Sequence, residues 1–256
     1  MENTQIIILA AGKGSRMGGD IPKALTELSG RSMVARVVET IESLPNYHKK
    51  PIVVVGYKSD MITEALGDRA IYAIQGEQKG TGHAVMSAAG YIDPSTERVL
   101  ILYADQPFVS AETIQSLVEN KKASSTPLSI ATAVIDSDDL FRDQFYNFGR
   151  IVRGDDGEIV RIVEKKDALD SELLIREVNP AYFCCDVGWM LDNLKTLSNN
   201  NAQNEYYLTD LVRISFDQKC RIDSIQINER EALGANTREQ LRVLESFVEK
   251  QASTVL

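Results

Sequence analysis

The residues with the most chemical character lie near the start of the chain. Leu9-Ala10-Ala11-Gly12-Lys13-Gly14-Ser15-Arg16-Met17 is followed a few positions on by Pro22-Lys23. Glycines at 12, 14, 18 and 19 let a backbone approach a ligand closely and turn several N–H groups toward one anion. Lys13, Arg16 and Lys23 place three cations in the same stretch, and together these features read as a pocket for a triphosphate. The pattern is neither GxGxxG, because position 17 is Met, nor a Walker A loop, because no Gly-Lys-Ser/Thr closes it. A solvated Gly-rich turn with ordinary surface cations is its other reading. Asp105 ends the apolar run Val99-Leu100-Ile101-Leu102-Tyr103-Ala104. A carboxylate there is placed to hold Mg2+ against phosphates, and its plainer role is a turn residue before Pro107.

Such residues need elements to position them. Ile- and Val-rich runs at 5–10, 51–56, 71–75, 99–105 and 128–135 read as buried strands, and 32–43, 60–66, 81–91 and 111–122 between them as helices. This alternation predicts an α/β fold, a Rossmann-like, mostly parallel sheet flanked by helices, with ligands at the carboxyl ends of the strands. After residue 136 the rhythm changes. Residues 150–153 and 158–164 flank Gly154-Asp155-Asp156-Gly157, which signals an antiparallel β-hairpin addition. Residues 177–185 read as a strand, 187–197 and 206–216 as helices, and 222–227 as a strand. A helix over 237–251 is capped by Asn236 or Thr237. Without linker, low-complexity tract or repeat, the expectation is one domain over 1–256, with halves at about 1–135 and 136–241 and a C-terminal helix to about 251.

Composition bounds the partners. The 256 residues carry 28 Lys and Arg against 37 Asp and Glu, a net charge of −9. That balance argues against nucleic acid or an anionic membrane as partner, so positive charge for a polyanion must be local. A hydrophobic fraction of 43% excludes a wholly disordered chain. Cys184, Cys185 and Cys220 form no disulfide framework, and the adjacent pair should point to opposite sheet faces. With no CxxC and only His48 and His83, a zinc site is not expected. No basic segment precedes the first apolar run, and no run reaches about 20 apolar residues, so neither signal peptide nor membrane span is expected. Reduced cysteines then point to the cytoplasm.

LAAGKGSRM followed by PKAL resembles the signature of sugar-phosphate nucleotidyltransferases. Five further blocks are similar to one family, the uridylyltransferase domain of bacterial bifunctional N-acetylglucosamine-1-phosphate uridylyltransferase/acetyltransferases. They are Gln75-Gly76-Glu77-Gln78-Lys79-Gly80-Thr81-Gly82-His83-Ala84, Tyr103-Ala104-Asp105, Phe148-Gly149-Arg150-Ile151-Val152-Arg153 with Ile162-Val163-Glu164-Lys165, the stretch from Asn201 to Asp210, and Gly234-Ala235-Asn236-Thr237-Arg238. The resemblance implies a magnesium-dependent enzyme that joins UTP to a sugar-1-phosphate, N-acetylglucosamine-1-phosphate first among candidates, with release of pyrophosphate. It makes 1–135 the nucleotide-binding half and 136–241 the sugar-binding half.

The resemblance also assigns roles. Leu9, Ala10, Gly12, Lys13 and Gly14 line the nucleotide site; Arg16 and Lys13 face the departing phosphates, and Lys23 the α-phosphate. Gln75, with donor and acceptor on one side chain, pairs with the uracil edge, and Gln78, Gly80 and Thr81 complete the nucleoside wall. His83 reads as packing or capping. Asp105 and Asn236 hold the Mg2+. Tyr103, Gly149, Glu164 and Asn179 contact the sugar, although Glu164 also fits a surface Glu-Lys-Lys run.

Three departures qualify this. Asn179 is followed by Pro180-Ala181 where the family has Asn-Thr-Gly: Pro removes a backbone donor, and Ala cannot replace a Gly that works at positive φ. Asp105-Gln106-Pro107 is similar instead to nucleotidyltransferases of molybdenum-cofactor maturation. No hexapeptide repeats follow, so no acetyltransfer is expected. The alternatives are the same fold with CTP, dTTP or another acceptor phosphate, and a non-catalytic nucleotide-binding relative. A homo-oligomer is neither indicated nor excluded.

Overall fold

In the computed structural model, residues 1–14 and 20–254 are described. The first strand, β1 (Thr4–Leu9), is buried along its whole length. Ile6, Ile8 and Ala10 enter one hydrophobic cluster, and Ile7, Leu9 and Ala11 the other, as expected of a strand covered on both faces. A small ladder of β2 (Glu27–Leu28) and β3 (Arg31–Ser32) leads into α1 (Met33–Glu42), capped by the Ser32 hydroxyl, which accepts from Ala35 N. Then follow β4 (Ile52–Val55), α2 (Ser59–Leu66), β5 (Ile71–Ile74), α3 (Thr81–Ala88), β6 (Arg98–Tyr103), α4 (Ala111–Ala123) and β7 (Leu128–Val134). The strands β5, β4, β1 and β6 pair in parallel in that order, so their carboxyl ends open on one rim.

The second part is antiparallel in character and larger than a hairpin. A short helix α5 (Asp138–Leu140) precedes the hairpin of β8 (Gly149–Arg153) and β9 (Ile159–Val163), then α6 (Asp170–Leu173), β10 (Glu177–Asn179), β11 (Phe183–Asp186), α7 (Val187–Leu194), α8 (Asp210–Asp217), β12 (Asp223–Gln226) and α9 (Arg238–Thr254). The sheet continues from β6 through β11, β7, β10 and β8 to β9, with β12 parallel to β7. β11 runs antiparallel between β6 and β7.

Both faces are covered. Val34, Val37, Val38 and Ile41 of α1, Ile114, Leu117 and Val118 of α4 and Leu244 of α9 pack on one, and Val85 of α3, Met190 and Leu194 of α7 and Leu211 and Val212 of α8 on the other. Cys184 and Cys185 are buried in opposite clusters, as their adjacency in a strand requires. Burial raises both thiols, which keeps them protonated.

Several element boundaries differ from those read in the sequence, two of them beside the site, while the cap expected for the last helix is present. The strand expected over 177–185 is two strands, β10 and β11, both paired to β7 and separated by a bulge at Pro180-Ala181. Ala181 takes the left-handed conformation, φ 66°, so Ala does occupy the position expected to require Gly. Asn179 Oδ1 accepts from Ala181 N at 2.9 Å and ties the bulge. The helix expected from residue 206 begins only at Asp210, because 206–208 bond across to Lys79 and the first turn of α3. Thr237 caps α9, its hydroxyl accepting from Gln240 N at 3.2 Å, which leaves the Asn236 side chain for other work. Among the described residues no helix is long and apolar enough to cross a membrane.

Candidate active site

Loops leaving the carboxyl ends of β1, β5 and β6 converge on a cavity of about 250 Å³. Leu9, Ala10, Gly12, Lys23, Gln75, Gln78, Gly80, Thr81, Tyr103 and Asp105 all line it. A second cavity of about 200 Å³ lies beside it, with Gly149, Glu164, Asn179, Thr209 and Asn236 in its walls. The two share Thr81, Tyr103 and Asp105. Asp105 therefore stands where a ligand in one cavity would meet a ligand in the other.

At that boundary Lys23 Nζ donates to Asp105 Oδ2 and, at 2.5 Å, to Asn236 Oδ1. These groups come from three remote segments. Lys23 follows the loop after β1, Asp105 lies in the turn after β6, and Asn236 precedes α9. The Lys23 and Asp105 side chains are only 12% and 23% exposed, so this ion pair is largely screened from water. The sequence expectation set Lys23 against a phosphate; here its partners are the carboxylate and the amide oxygen. Gly14 permits the approach. It has φ 66°, and a Cβ on it would lie 2.6 Å from Lys23 Cβ.

The convergence of Asp105 and Asn236 on one cationic position tests the expected magnesium. Both are hard oxygen donors, and one carboxylate with one amide oxygen leaves room for the water and phosphate ligands that Mg2+ retains. Among the described residues there is no group of three or more His, Cys, Asp and Glu of the kind a closed metal cage needs. The donor set fits an ion shared with a phosphate.

The expected nucleoside wall, residues 75–81, is braced from a distance. Gln78 Nε2 donates to Ala11 O at 2.5 Å, tying the wall to the loop after β1. Residues 206–208 lie against 79–82: Tyr206 N donates to Lys79 O and Gly82 N to Tyr206 O, each at 2.8 Å, and Leu208 N to Thr81 Oγ1 at 3.1 Å. Gly80 has φ 101°, and a Cβ there would lie 2.7 Å from Tyr206 O, so only glycine fits. Buried Gln75 donates through Nε2 to Gly80 O at 3.1 Å. The Tyr103 hydroxyl bonds the Thr81 side chain, and burial raises its pKa.

In the second cavity, Thr209 Oγ1 donates to Glu164 Oε1 at 3.1 Å. Burial raises the Glu164 carboxyl above its ordinary value, and nearby Asp167, Asp210 and Glu205 push the same way. Glu164 is thus part of a cavity wall rather than of a solvated charge run. Among the described residues, Lys13 and Gly14 were expected at the nucleotide site and line neither cavity. Lys13 holds its ammonium over the Tyr57 ring, 5.2 Å from the centroid, rather than in either cavity. Arg16 lies outside the described residues. Thr209, Asn147, Gln106 and Glu205 line the cavities without having been assigned there. Only the quoted stretch from Asn201 to Asp210 signalled any of them.

A cleft at the carboxyl ends of parallel strands, meeting a second cavity at one carboxylate that a lysine pairs, fits the layout of a nucleotidyltransferase. The chain belongs to the family described as the MobA-like NTP transferase domain, which matches residues 6–173. It is 34% identical over 247 residues to the bifunctional protein GlmU of Clostridium novyi, covering 94% of this chain and 51% of that protein. To the bifunctional protein GlmU of Geobacter metallireducens it is 37% identical over 259 residues, covering 100% and 52%. The chain therefore spans about half the length of the curated relatives it matches. Among solved structures, a CMP:2-keto-3-deoxy-manno-octonic acid synthetase complexed with CTP superposes with TM-score 0.70 at 13% identity, covering 97% of this chain and 99% of the other. HddC from Yersinia pseudotuberculosis gives 0.65 at 17%, covering 95% and 99%, so the fold is shared with both.

Proposed function

We propose that the protein transfers a uridylyl group from UTP to a sugar-1-phosphate, N-acetylglucosamine-1-phosphate first among candidates, with release of pyrophosphate. The observation that carries the reading is the pair of cavities meeting at Asp105, with Lys23 held between Asp105 and Asn236. The first cavity takes the nucleoside triphosphate and the second the acceptor. An acceptor phosphate oxygen forms the new bond to the α-phosphorus in line, the α–β bridging P–O bond breaks, and its electron pair leaves with pyrophosphate. The acceptor oxygen is already anionic, so the protein's work is positioning and charge stabilisation. Lys23 supplies a fixed positive charge at the junction. Mg2+ held by Asp105 and Asn236 would neutralise charge on the phosphate oxygens.

The acceptor cavity favours a neutral hydroxyl-bearing body. Glu164, Asn179, Thr209 and Asn147 offer acceptors and amide donors, and among its described lining residues there is no Lys or Arg to receive a second anion. Pro180, which follows Asn179 and has no backbone N–H to offer, favours a second reading, in which the same mechanism serves another acceptor phosphate or nucleotide. A pyrophosphate-release assay separates the readings, with UTP, CTP, dTTP and GTP crossed against several sugar-1-phosphates. UTP turnover with N-acetylglucosamine-1-phosphate is expected. CTP turnover without any UDP-sugar would remove the uridylyl reading, and nucleotide binding without turnover across the panel would leave a non-catalytic relative. The reading carries with it a cytoplasmic location, where UTP is made.

A further inference from the structure

The amide of Gln75 is held more tightly than base reading alone requires. Nε2 donates to Gly80 O at 3.1 Å and lies 3.1 Å from His83 Nδ1. Gly80 O fixes which way the amide faces, since a flipped amide would set Oε1 against that carbonyl oxygen, acceptor against acceptor. An amide nitrogen has hydrogens to give and no lone pair to offer. The ring nitrogen facing it must therefore accept, which makes His83 neutral with its proton on Nε2. Both Gln75 amide hydrogens are then committed within the protein. Oε1 remains, and it accepts from no described residue on a side chain that lines the nucleoside cavity.

His83 is well placed to hold this arrangement. It lies in α3, whose Ala84 N also donates to Gly80 O at 3.1 Å, so ring and carbonyl move as one unit. Its ring packs near Tyr206, with centroids 6.5 Å apart, in the segment that braces residues 79–82.

We propose that His83 is a positioning residue for base choice: by taking one amide hydrogen of Gln75 it leaves that side chain a pure acceptor toward the nucleoside. The site then admits a pyrimidine with an imide N–H, uracil or thymine, and rejects cytosine. Uracil N3–H donates to Oε1, whereas cytosine N3 brings a lone pair against it. An untethered glutamine would rotate to satisfy cytosine, and His83 and Gly80 O together remove that freedom. The inference rests on the first cavity being the nucleoside site.

The test compares kcat/KM for UTP and CTP, with N-acetylglucosamine-1-phosphate as acceptor, in the parent, His83→Leu and His83→Asn. Asn keeps an acceptor, Oδ1, close to where His places Nδ1. The parent should prefer UTP at least about 100-fold. His83→Leu should lower that preference by about tenfold, mostly through KM for UTP with kcat little changed, as expected for one lost hydrogen bond. His83→Asn should recover most of it. An unchanged ratio in a folded, active His83→Leu overturns the role of His83 and leaves the uridylyl reading standing; a parent that prefers CTP overturns both. Should His83→Leu fail to fold, nitrogen NMR of the parent decides, because the chain has only two histidines and His48→Asn assigns them. An unprotonated Nδ1 on His83 supports the proposal, and a protonated Nδ1 overturns it.

Discussion

Lys23 holds together the two residues expected to bind metal, and each of the three depends on the others. Removing its ammonium leaves the Asp105 carboxylate without its ion-pair partner and, on the proposed reading, removes charge where the reacting phosphates would meet. Lys23→Ala and Asp105→Ala are each expected to cut turnover by about 10²–10³-fold while far-ultraviolet dichroism stays that of the parent. Steady-state pyrophosphate release checks this, and near-full activity in either variant would refute its assigned role. Glu164 yields a prediction about pH. Its folded-state pKa is raised from 4.5, so its contribution to stability is fully present below that value and is lost as pH rises through the raised one. Glu164→Gln carries no charge to lose. Its melting temperature should exceed the parent's at pH 7–8, and the gain should vanish below about pH 4. Thermal unfolding across that range reads the difference directly.

At the scale of elements, the site is built by segments that meet far from their neighbours in sequence. The phosphate-loop candidate and the carboxylate just after β6 are legible in the sequence because strand, turn and charge lie within one short stretch. The brace at 206–208 is not, since its residues pass for the first turn of a helix until Lys79–Gly82 is beside them. Nor could the partner of Glu164 be read, because Thr209 lies 45 residues away. Gly80→Ala tests the brace. A Cβ at φ 101° against Tyr206 O should destabilise the protein by more than 1 kcal/mol and raise KM for the nucleotide. Unfolding midpoints and initial rates measure both. The bulge of β10 and β11 tests the converse. Ala181→Gly relieves a left-handed alanine, and after the added unfolded-state entropy of glycine should stabilise by about 0.5–1 kcal/mol. Chemical denaturation of the two proteins side by side would show it.

Over the whole molecule, the acidic balance and the phosphate-binding reading are compatible because a net charge does not prevent several cations from gathering on one rim. The net charge of −9 is an average over a surface on which Lys13, Lys23 and Lys58 all stand on loops after β1 and β4. Chelation of Mg2+ should abolish turnover, and titrating the ion back should restore it without changing the fold, as calorimetry alongside the rate assay would register. The strand-helix alternation of the first half predicted the parallel part of the sheet and both covered faces. It did not predict where the second half enters, because a short strand such as β11 carries no mark of its neighbours.

That entry point has a consequence for how the chain acquires its structure. β6 and β7 do not pair; between them lies β11, made from residues 183–186. As the chain emerges from the ribosome, the four parallel strands can assemble, but their inner edge stays open until some eighty further residues have been synthesised. Each nascent molecule thus presents an unpaired, apolar strand for several seconds at ordinary elongation rates. During that interval the growing chain is most exposed to misassociation with its own copies, and a holding chaperone would act there.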